Sequence, residues 1–282
     1  MEYIDSNRIN RYHINIGVNA MAVLIIKIAA SIIMGFFAGP AAVYVFNHIP
    51  ASWLCEYGED PAKDPRFAPG EKRIKENPWR WVYSVGFICL CLRLSLIEYG
   101  EGQLSVQPEV TTMTTQLAAA GLVACWILLI IALADLKFMI IPDQFVLLLA
   151  LSSIGFAPLW RADEEKALTL NATLWDSLSG FWQPVLGMVI GGGFMLLCAL
   201  AGKLIFKQDA FGFGDVKLCA AMGLVLGING TIASVAAAVI ISGFVAAAGL
   251  AAGKYGKKEQ KPLGPYLCGC AMAYIIIAMP LI

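Results

Sequence analysis

Charged residues are scarce in this chain, and the few charges cancel. Asp, Glu, Lys and Arg make up 14% of the 282 residues, hydrophobic residues make up 59%, and the formal net charge is +0. A chain without excess positive charge offers no electrostatic basis for binding nucleic acid. The mean hydropathy of +0.72 excludes an ordinary soluble domain. We therefore expect the lipid bilayer, and no nucleic acid, among the partners of this protein.

Metal-binding side chains are also scarce in the patterns that hold metals. Only two histidines occur, which argues against a His-based metal site or catalytic triad. Cys89 and Cys91 are two positions apart in an apolar segment and would point to different faces of a helix. The same holds for Cys268 and Cys270, whereas zinc sites favour Cys-x2-4-Cys pairs on turns. We expect the cysteines to be small buried apolar residues and predict no metal site.

Long apolar runs are what the chain has instead. About 20 apolar residues cross the hydrocarbon core as a helix, and backbone groups at that depth need internal partners, which favours helices. The pattern predicts an all-α fold, a polytopic transmembrane helix bundle of about eight spans. These lie at 17–47, 80–99, 116–134, 144–160, 178–202, 216–227, 231–252 and 263–282.

Positive charge is distributed unequally among the predicted loops. Of the 20 Lys and Arg residues, 14 fall in the 48–80 loop, in the 253–262 loop, and in the two segments that carry the acids described next. Eight spans place these loops on one side, and the positive-inside rule makes that side cytoplasmic. We divide the chain into an N-terminal membrane region, 1–115, containing the cytoplasmic loop 48–80, and a second membrane domain, 116–282.

Two acids lie where apolar segments begin or end. Asp135 follows the third predicted span, and Asp215 closes the turn Phe211-Gly212-Phe213-Gly214-Asp215 before the sixth. Carboxylates at membrane depth are costly and are functional candidates by default. Two carboxyl groups that share one proton can activate water and polarise a scissile carbonyl. Asp135 and Asp215 are therefore predicted to be the catalytic pair of an aspartyl protease within the membrane.

The residues around the two acids suggest supporting roles. Gly212 and Gly214 would permit positive φ and a close approach of another backbone, so an extended substrate could pair with this turn; a tight connection between two helices is the alternative. Pro142 and Asp143 fit a helix start, which makes Asp143 a supporting rather than a catalytic residue. Lys217 belongs to the same supporting set.

At these residues the chain resembles the prepilin leader peptidases, the bacterial type IV leader peptidase family of GxGD-type membrane aspartyl proteases. The resemblance covers roughly 116–282 and is carried by three segments: Asp135-Leu-Lys-Phe-Met-Ile-Ile-Pro-Asp143, Phe213-Gly-Asp-Val-Lys-Leu218 with Gly212 before it, and Pro262-Leu-Gly-Pro-Tyr-Leu267. It implies that Asp135 and Asp215 are catalytic and need no metal or organic cofactor for proteolysis. The implied substrates are type IV prepilins and secretion pseudopilins, whose short basic leader is cut after a glycine. Cleavage would take place at the cytoplasmic face of the bacterial inner membrane.

The 48–80 loop departs from the family pattern. Many bacterial members carry two Cys-x-x-Cys pairs in the corresponding loop, bind zinc there, and N-methylate the new N-terminus with S-adenosylmethionine. Here the loop has only Cys55, so we expect no zinc, and the methyltransferase activity is left open. We expect a solvated loop. The alternative is that Glu56, Glu59 and Asp60 meet the basic leader.

Three other functions are alternative hypotheses that the same residues support less well. Presenilin-type proteases place the first acid in a Tyr-Asp pair and carry a Pro-Ala-Leu motif, whereas this chain has Ala134-Asp135 and lacks that motif. An ion- or proton-coupled membrane transporter would also use intramembrane acids, but it predicts internal repeats, and none is visible. A catalytically inactive assembly factor would not need both acids.

Overall fold

The computed structural model describes residues 6–55, 67, 73–96, 108–157, 160, 182–206, 212–253 and 262–277. These residues contain no strand. Their seven α-helices are α1 (Ser6–His48), α2 (Trp79–Leu96), α3 (Pro108–Phe138), α4 (Asp143–Ser152), α5 (Gln183–Phe206), α6 (Phe213–Ala251) and α7 (Gly264–Ile277), with short 3-10 turns at Ala51–Trp53 and Ser153–Phe156. The all-α prediction is confirmed.

Four of these helices contain segments long and apolar enough to cross a bilayer: Ile28–His48, Gln116–Phe138, Gln183–Leu204 and Phe213–Ala251. The apolar helices Asp143–Phe156 and Gly264–Ile277 are shorter. At 1.5 Å per residue, a 14-residue helix is only about 21 Å long, less than the hydrocarbon thickness. The chain is thus a helical membrane protein, and the count of eight spans stays a prediction.

The predicted boundary between the sixth and seventh spans coincides with a sharp kink in α6. Gly227 has φ 66 and ψ −168, a left-handed conformation that glycine adopts without steric cost. The kink frees the Ile228 N–H, which donates to the Gln183 side-chain carbonyl at 3.2 Å, and the Thr231 hydroxyl donates to the Gly227 carbonyl at 2.6 Å. Breaks in membrane helices persist where such partners satisfy the backbone.

Glycines allow α5 to pack closely on both arms of α6. A side chain at Gly223 would collide with the Gly187 carbonyl, and one at Gly191 would lie 2.6 Å from the Cys219 carbonyl and 2.7 Å from the Thr231 side chain. In lipid, the hydrophobic effect does not drive helices together, so van der Waals packing between them does. Small residues at the interface allow the helix backbones to approach closely enough for this packing. The tight contact therefore fixes the first arm of α6, which begins near Asp215.

The buried core lies where α3, α4, α6 and α7 meet. Helix α7 packs against both α3 and α6, and α4 packs against the same two helices. Their fully buried large side chains include Leu128, Ile130, Ile131, Leu149, Leu218, Met222, Leu267 and Ile275. This packing brings together the end of α3 and the beginnings of α4, α6 and α7.

One predicted boundary moves by four residues, and the solvated-loop expectation fails at the described residues of the 48–80 loop. The third predicted span ended at residue 134, but α3 continues to Phe138, so Asp135 lies inside the last helical turn. The 48–80 loop is not simply solvated, because Leu54 is fully buried and Phe67 and Ile74 pack against the core. The acids Glu56, Glu59 and Asp60 lie outside the described residues.

Replacing Gly223 with Ala should destabilise the α5–α6 contact, because the added methyl group meets a backbone carbonyl that cannot rotate away. Overpacking of this kind lowers the free energy of unfolding by about 1–3 kcal/mol. Gly193→Ala is the matched control on α5, since nothing lies within 4 Å of its added methyl group. Thermal unfolding followed by circular dichroism should show a lower midpoint for Gly223→Ala alone. Equal midpoints for the two variants would contradict the packing described.

Candidate active site

Asp135 occupies the last turn of α3 and is only 5% exposed. Its Oδ2 accepts a hydrogen bond of 2.8 Å from the Gly264 backbone N–H. Gly264 is the first residue of α7, and N–H groups in the first turn of a helix have no partner within the helix. The carboxyl group supplies that partner, and the positive end of the α7 dipole faces it.

Gly264 allows this hydrogen bond because it lacks a side chain. A Cβ atom at this position would lie 2.6 Å from Asp135 Oδ2 and 3.0 Å from its Cγ. Sequence reasoning noted the Pro262–Leu267 segment but gave Gly264 no role. The signal available in the sequence was a glycine at a helix start, within one of the three segments that carry the resemblance.

Asp215 is the third residue of α6 and is partly buried. Its carboxyl group has the Gly212 backbone as a hydrogen-bond partner and interacts electrostatically with Asp135. The fully buried Cys268 lies within electrostatic range of both carboxyl groups. The two acids singled out as a pair are 80 positions apart in sequence, and the fold places them within electrostatic range of each other.

Gly212 and Gly214 do not adopt the backbone conformation expected of them. Gly212 is extended, with φ −72 and ψ 146, and Gly214 lies within α6; the described glycines with positive φ are Gly227 and Gly253. A Cβ at Gly214 would lie 3.2 Å from the Ile141 Cβ. Gly214 therefore lets the segment after Asp135 pack onto the start of α6, while Gly212 stays exposed.

Asp143 and Lys217, predicted as supporting residues, form an ion pair. Lys217 Nζ donates to both carboxylate oxygens, at 2.9 and 2.8 Å, and Pro142 is buried just before Asp143. The Lys217 side chain is 39% exposed and the Asp143 side chain is 54% exposed. The ion pair therefore contributes at most about 1 kcal/mol to the free energy of unfolding. Its geometric effect is to join the start of α4 to the start of α6, two positions after Asp215.

The turn between Asp135 and Asp143 contains a strained residue. Met139 has φ 56, a left-handed conformation that costs a residue with a Cβ roughly 1–2 kcal/mol. Its N–H donates to the Asp135 carbonyl at 2.9 Å. The chain therefore turns sharply after α3 and leads directly into Ile141 and Pro142.

A zinc site of the two-pair cysteine type does not fit this chain. The 48–80 loop offers Cys55 as its one cysteine, and a four-cysteine site needs three more thiolates. Within the described ranges, no group of three or more His, Cys, Asp or Glu side chains could hold a metal ion.

The chain is similar in sequence to known prepilin leader peptidases. Residues 122–248 match the model of the type IV leader peptidase family. The chain is 29% identical over 150 residues to the prepilin leader peptidase/N-methyltransferase of Bacillus subtilis, covering 53% of this chain and 52% of that protein. It is 24% identical over 283 residues to the protein of that name from Burkholderia pseudomallei, covering 90% and 86%, and 28% identical over 197 residues to that of Aeromonas hydrophila, covering 67% and 61%.

The chain spans about half the length of the Bacillus relative and most of the Burkholderia one. No solved structure matches it significantly. The family match begins inside α3 and ends inside α6, so it includes Asp135, the Asp143–Lys217 ion pair and Asp215. Over residues 122–248, the chain is similar to the type IV leader peptidase family.

Proposed function

We propose that this protein is an aspartyl endopeptidase that removes the short basic leader from type IV prepilins and pseudopilins, cutting after a glycine. The observation that carries the proposal is that Asp135, in the last turn of α3, and Asp215, in the first turn of α6, lie within electrostatic range of each other. Both lie within a stretch that matches a peptidase family. Relatives named prepilin leader peptidase/N-methyltransferase support the substrate class.

Two carboxyl groups in electrostatic contact can divide the chemistry between them. One, ionised, takes a proton from water; the other, protonated, donates a hydrogen bond to the scissile carbonyl and polarises it. The water oxygen then adds to the carbonyl carbon and forms a tetrahedral intermediate. Collapse of this intermediate breaks the C–N bond, and the proton taken from water passes to the leaving amine. The Gly264 N–H holds the Asp135 carboxyl group in one orientation, which keeps the reacting groups aligned.

The substrate backbone would lie against the turn before α6. Gly212 is exposed and extended three positions before Asp215, and an extended backbone can pair with a peptide in a strand-like manner. Gly214 acts indirectly in this proposal, since it packs on Ile141. Asp143 and Lys217, with the buried Pro142 next to Asp143, hold the segment after Asp135 against the start of α6.

Proteolysis by two carboxyl groups and water requires no cofactor. Methylation of the new N-terminus would require S-adenosylmethionine as the methyl donor. The relatives' names include an N-methyltransferase, and the mass of the cleavage product measures whether this chain, with Cys55 as the one loop cysteine, also methylates.

Replacing either acid with its amide should abolish cleavage, because neither carboxyl group can then perform its half of the reaction. Purified enzyme in lipid would be incubated with a prepilin and S-adenosylmethionine, and product masses compared for wild type, Asp135→Asn, Asp215→Asn and the double variant. Residues that act as a unit are non-additive, so the double variant should be no worse than either single one. An additional methyl mass would show that methylation is retained. Intact prepilin with the wild-type enzyme, or cleavage by a single variant, would refute the proposed dyad.

Gly264→Ala should reduce kcat by roughly ten- to a hundredfold with little change in KM, since small misplacements of a catalytic group have effects of this size. The matched control on α7 is Gly269→Ala, whose added methyl group meets nothing within 4 Å. Steady-state cleavage of a prepilin peptide would be measured beside the thermal midpoint of each variant. Equal kcat for the two alanine variants would show that Gly264 does not position Asp135.

The distribution of basic residues predicts that the site faces the cytoplasm of a bacterial cell. A protease recognition sequence inserted in the 253–262 loop should be cut in inverted membrane vesicles and protected in spheroplasts, because that loop carries Lys254, Lys257, Lys258 and Lys261. One inserted in the 161–181 segment should behave in the opposite way. The reverse pattern would contradict the orientation.

A further inference from the structure

The loop after α1 returns to the end of α3 and forms a closed set of contacts there, which we call the aromatic clamp: Phe46, Phe67, Arg73 and Phe138. The rings of Phe67 and Phe138 stack, with their centroids 5.1 Å apart and an interplanar angle of 12°. The centroid of the Phe138 ring lies 6.3 Å from that of Phe46. The Arg73 guanidinium lies 5.5 Å from the Phe67 ring centroid. Its Nη1 donates a hydrogen bond to the Phe46 carbonyl at 3.1 Å, so the four residues form a closed ring of contacts.

A pair of hydrogen bonds joins the end of α1 to the 73–74 segment beside the clamp. The Asn47 side chain accepts from the Ile74 N–H at 2.8 Å and donates to the Ile74 carbonyl at 3.1 Å. A side-chain amide that pairs with both backbone groups of one residue fixes its position as a neighbouring backbone would. Phe46 and Asn47 at the end of α1 therefore hold Arg73 and Ile74 directly.

Arg73 is partly removed from water by these contacts. Burial lowers the pKa of its guanidinium, while the nearby Cys55 acts in the opposite direction. Arginine stays charged at such sites and can stack on an aromatic face while its N–H groups donate to a carbonyl. Lysine would keep the charge but could not make both contacts with one planar group.

The clamp acts on the residues next to Asp135. Phe138 is 3% exposed and lies three positions after Asp135, on the same face of α3. The strained Met139 follows directly. On the far side of the turn, Trp53 packs edge-to-face on Phe145 at 6.3 Å, so residues from the 48–80 loop contact the segment both before and after Ile140–Pro142.

We infer that the aromatic clamp is a metal-independent positioning device: the 48–80 loop, held by Arg73 and Phe67, fixes Phe138 and with it the orientation of Asp135. The inference rests on the proposed function for its catalytic consequence. Its structural consequence, an ordered turn from Met139 to Pro142, stands without it. Phe67 and Arg73 are positioning residues here, since they act on the acid through Phe138.

Four variants test this device. Phe67→Ala removes the stack, Phe67→Tyr keeps a ring, and Arg73→Lys keeps the charge but removes the planar group. Trp79→Ala is the matched control, because Trp79 is an exposed aromatic residue, 47% accessible, that stacks on Tyr83 at the start of α2. Hydrogen–deuterium exchange by mass spectrometry in lipid would be measured for all four, together with kcat and KM for prepilin cleavage.

Phe67→Ala and Arg73→Lys should accelerate amide exchange in 138–146 while leaving 264–272 unchanged, and should lower kcat about tenfold or more at constant KM. Phe67→Tyr and Trp79→Ala should behave as wild type. A metal chelator should change neither readout. Unchanged exchange in 138–146 for Phe67→Ala, or faster exchange on chelation, would overturn the inference. If the wild-type enzyme does not cleave prepilin, the proposed function is contradicted. The exchange measurement still tests whether the aromatic clamp orders the turn from Met139 to Pro142.

Discussion

The hydrogen bond between the Gly264 N–H and Asp135 joins the last turn of α3 to the start of α7. A carboxyl group at the C-terminal end of α3 faces the negative end of that helix dipole and an apolar core. The N-terminus of α7 offsets both effects by offering an unpaired N–H at 2.8 Å. This contact is possible only if α7 packs against α3 and if residue 264 has no Cβ.

The second acid is placed by the same physical means. Asp215 lies in the first turn of α6 with the Gly212 backbone as its partner, so each carboxyl group meets the N-terminal end of a different helix. Since α7 packs between α3 and α6, the two acids meet without being neighbours in sequence. The Gly214–Ile141 contact and the Asp143–Lys217 ion pair then hold the two acid-bearing segments side by side. The 48–80 loop adds the aromatic clamp behind the first of them.

The features that could be predicted from the sequence were those in which a residue is energetically unfavourable in its own apolar segment. Asp135 and Asp215 stood out because carboxyl groups in apolar surroundings are costly. The predicted boundary between the sixth and seventh spans also coincides with the kink at Gly227. Asp143 and Lys217 were placed in a supporting set, but their ion pair joins residues 74 positions apart and required the fold to be known. The role of Gly264 and the packing of Phe67 on Phe138 were missed for the same reason. Both depend on which chain segments meet, and hydropathy does not contain that information.

The claim that Asp135 and Asp215 work as one unit is tested most directly by infrared titration of their carboxyl groups in lipid. Difference spectra of wild type against Asp135→Asn and Asp215→Asn would isolate the signal of each acid. Interacting acids titrate as a pair, so removing one carboxyl group should change the pH at which the other releases its proton. If each acid titrates at the same pH with and without its partner, the two carboxyl groups do not interact, and a shared-proton mechanism is contradicted.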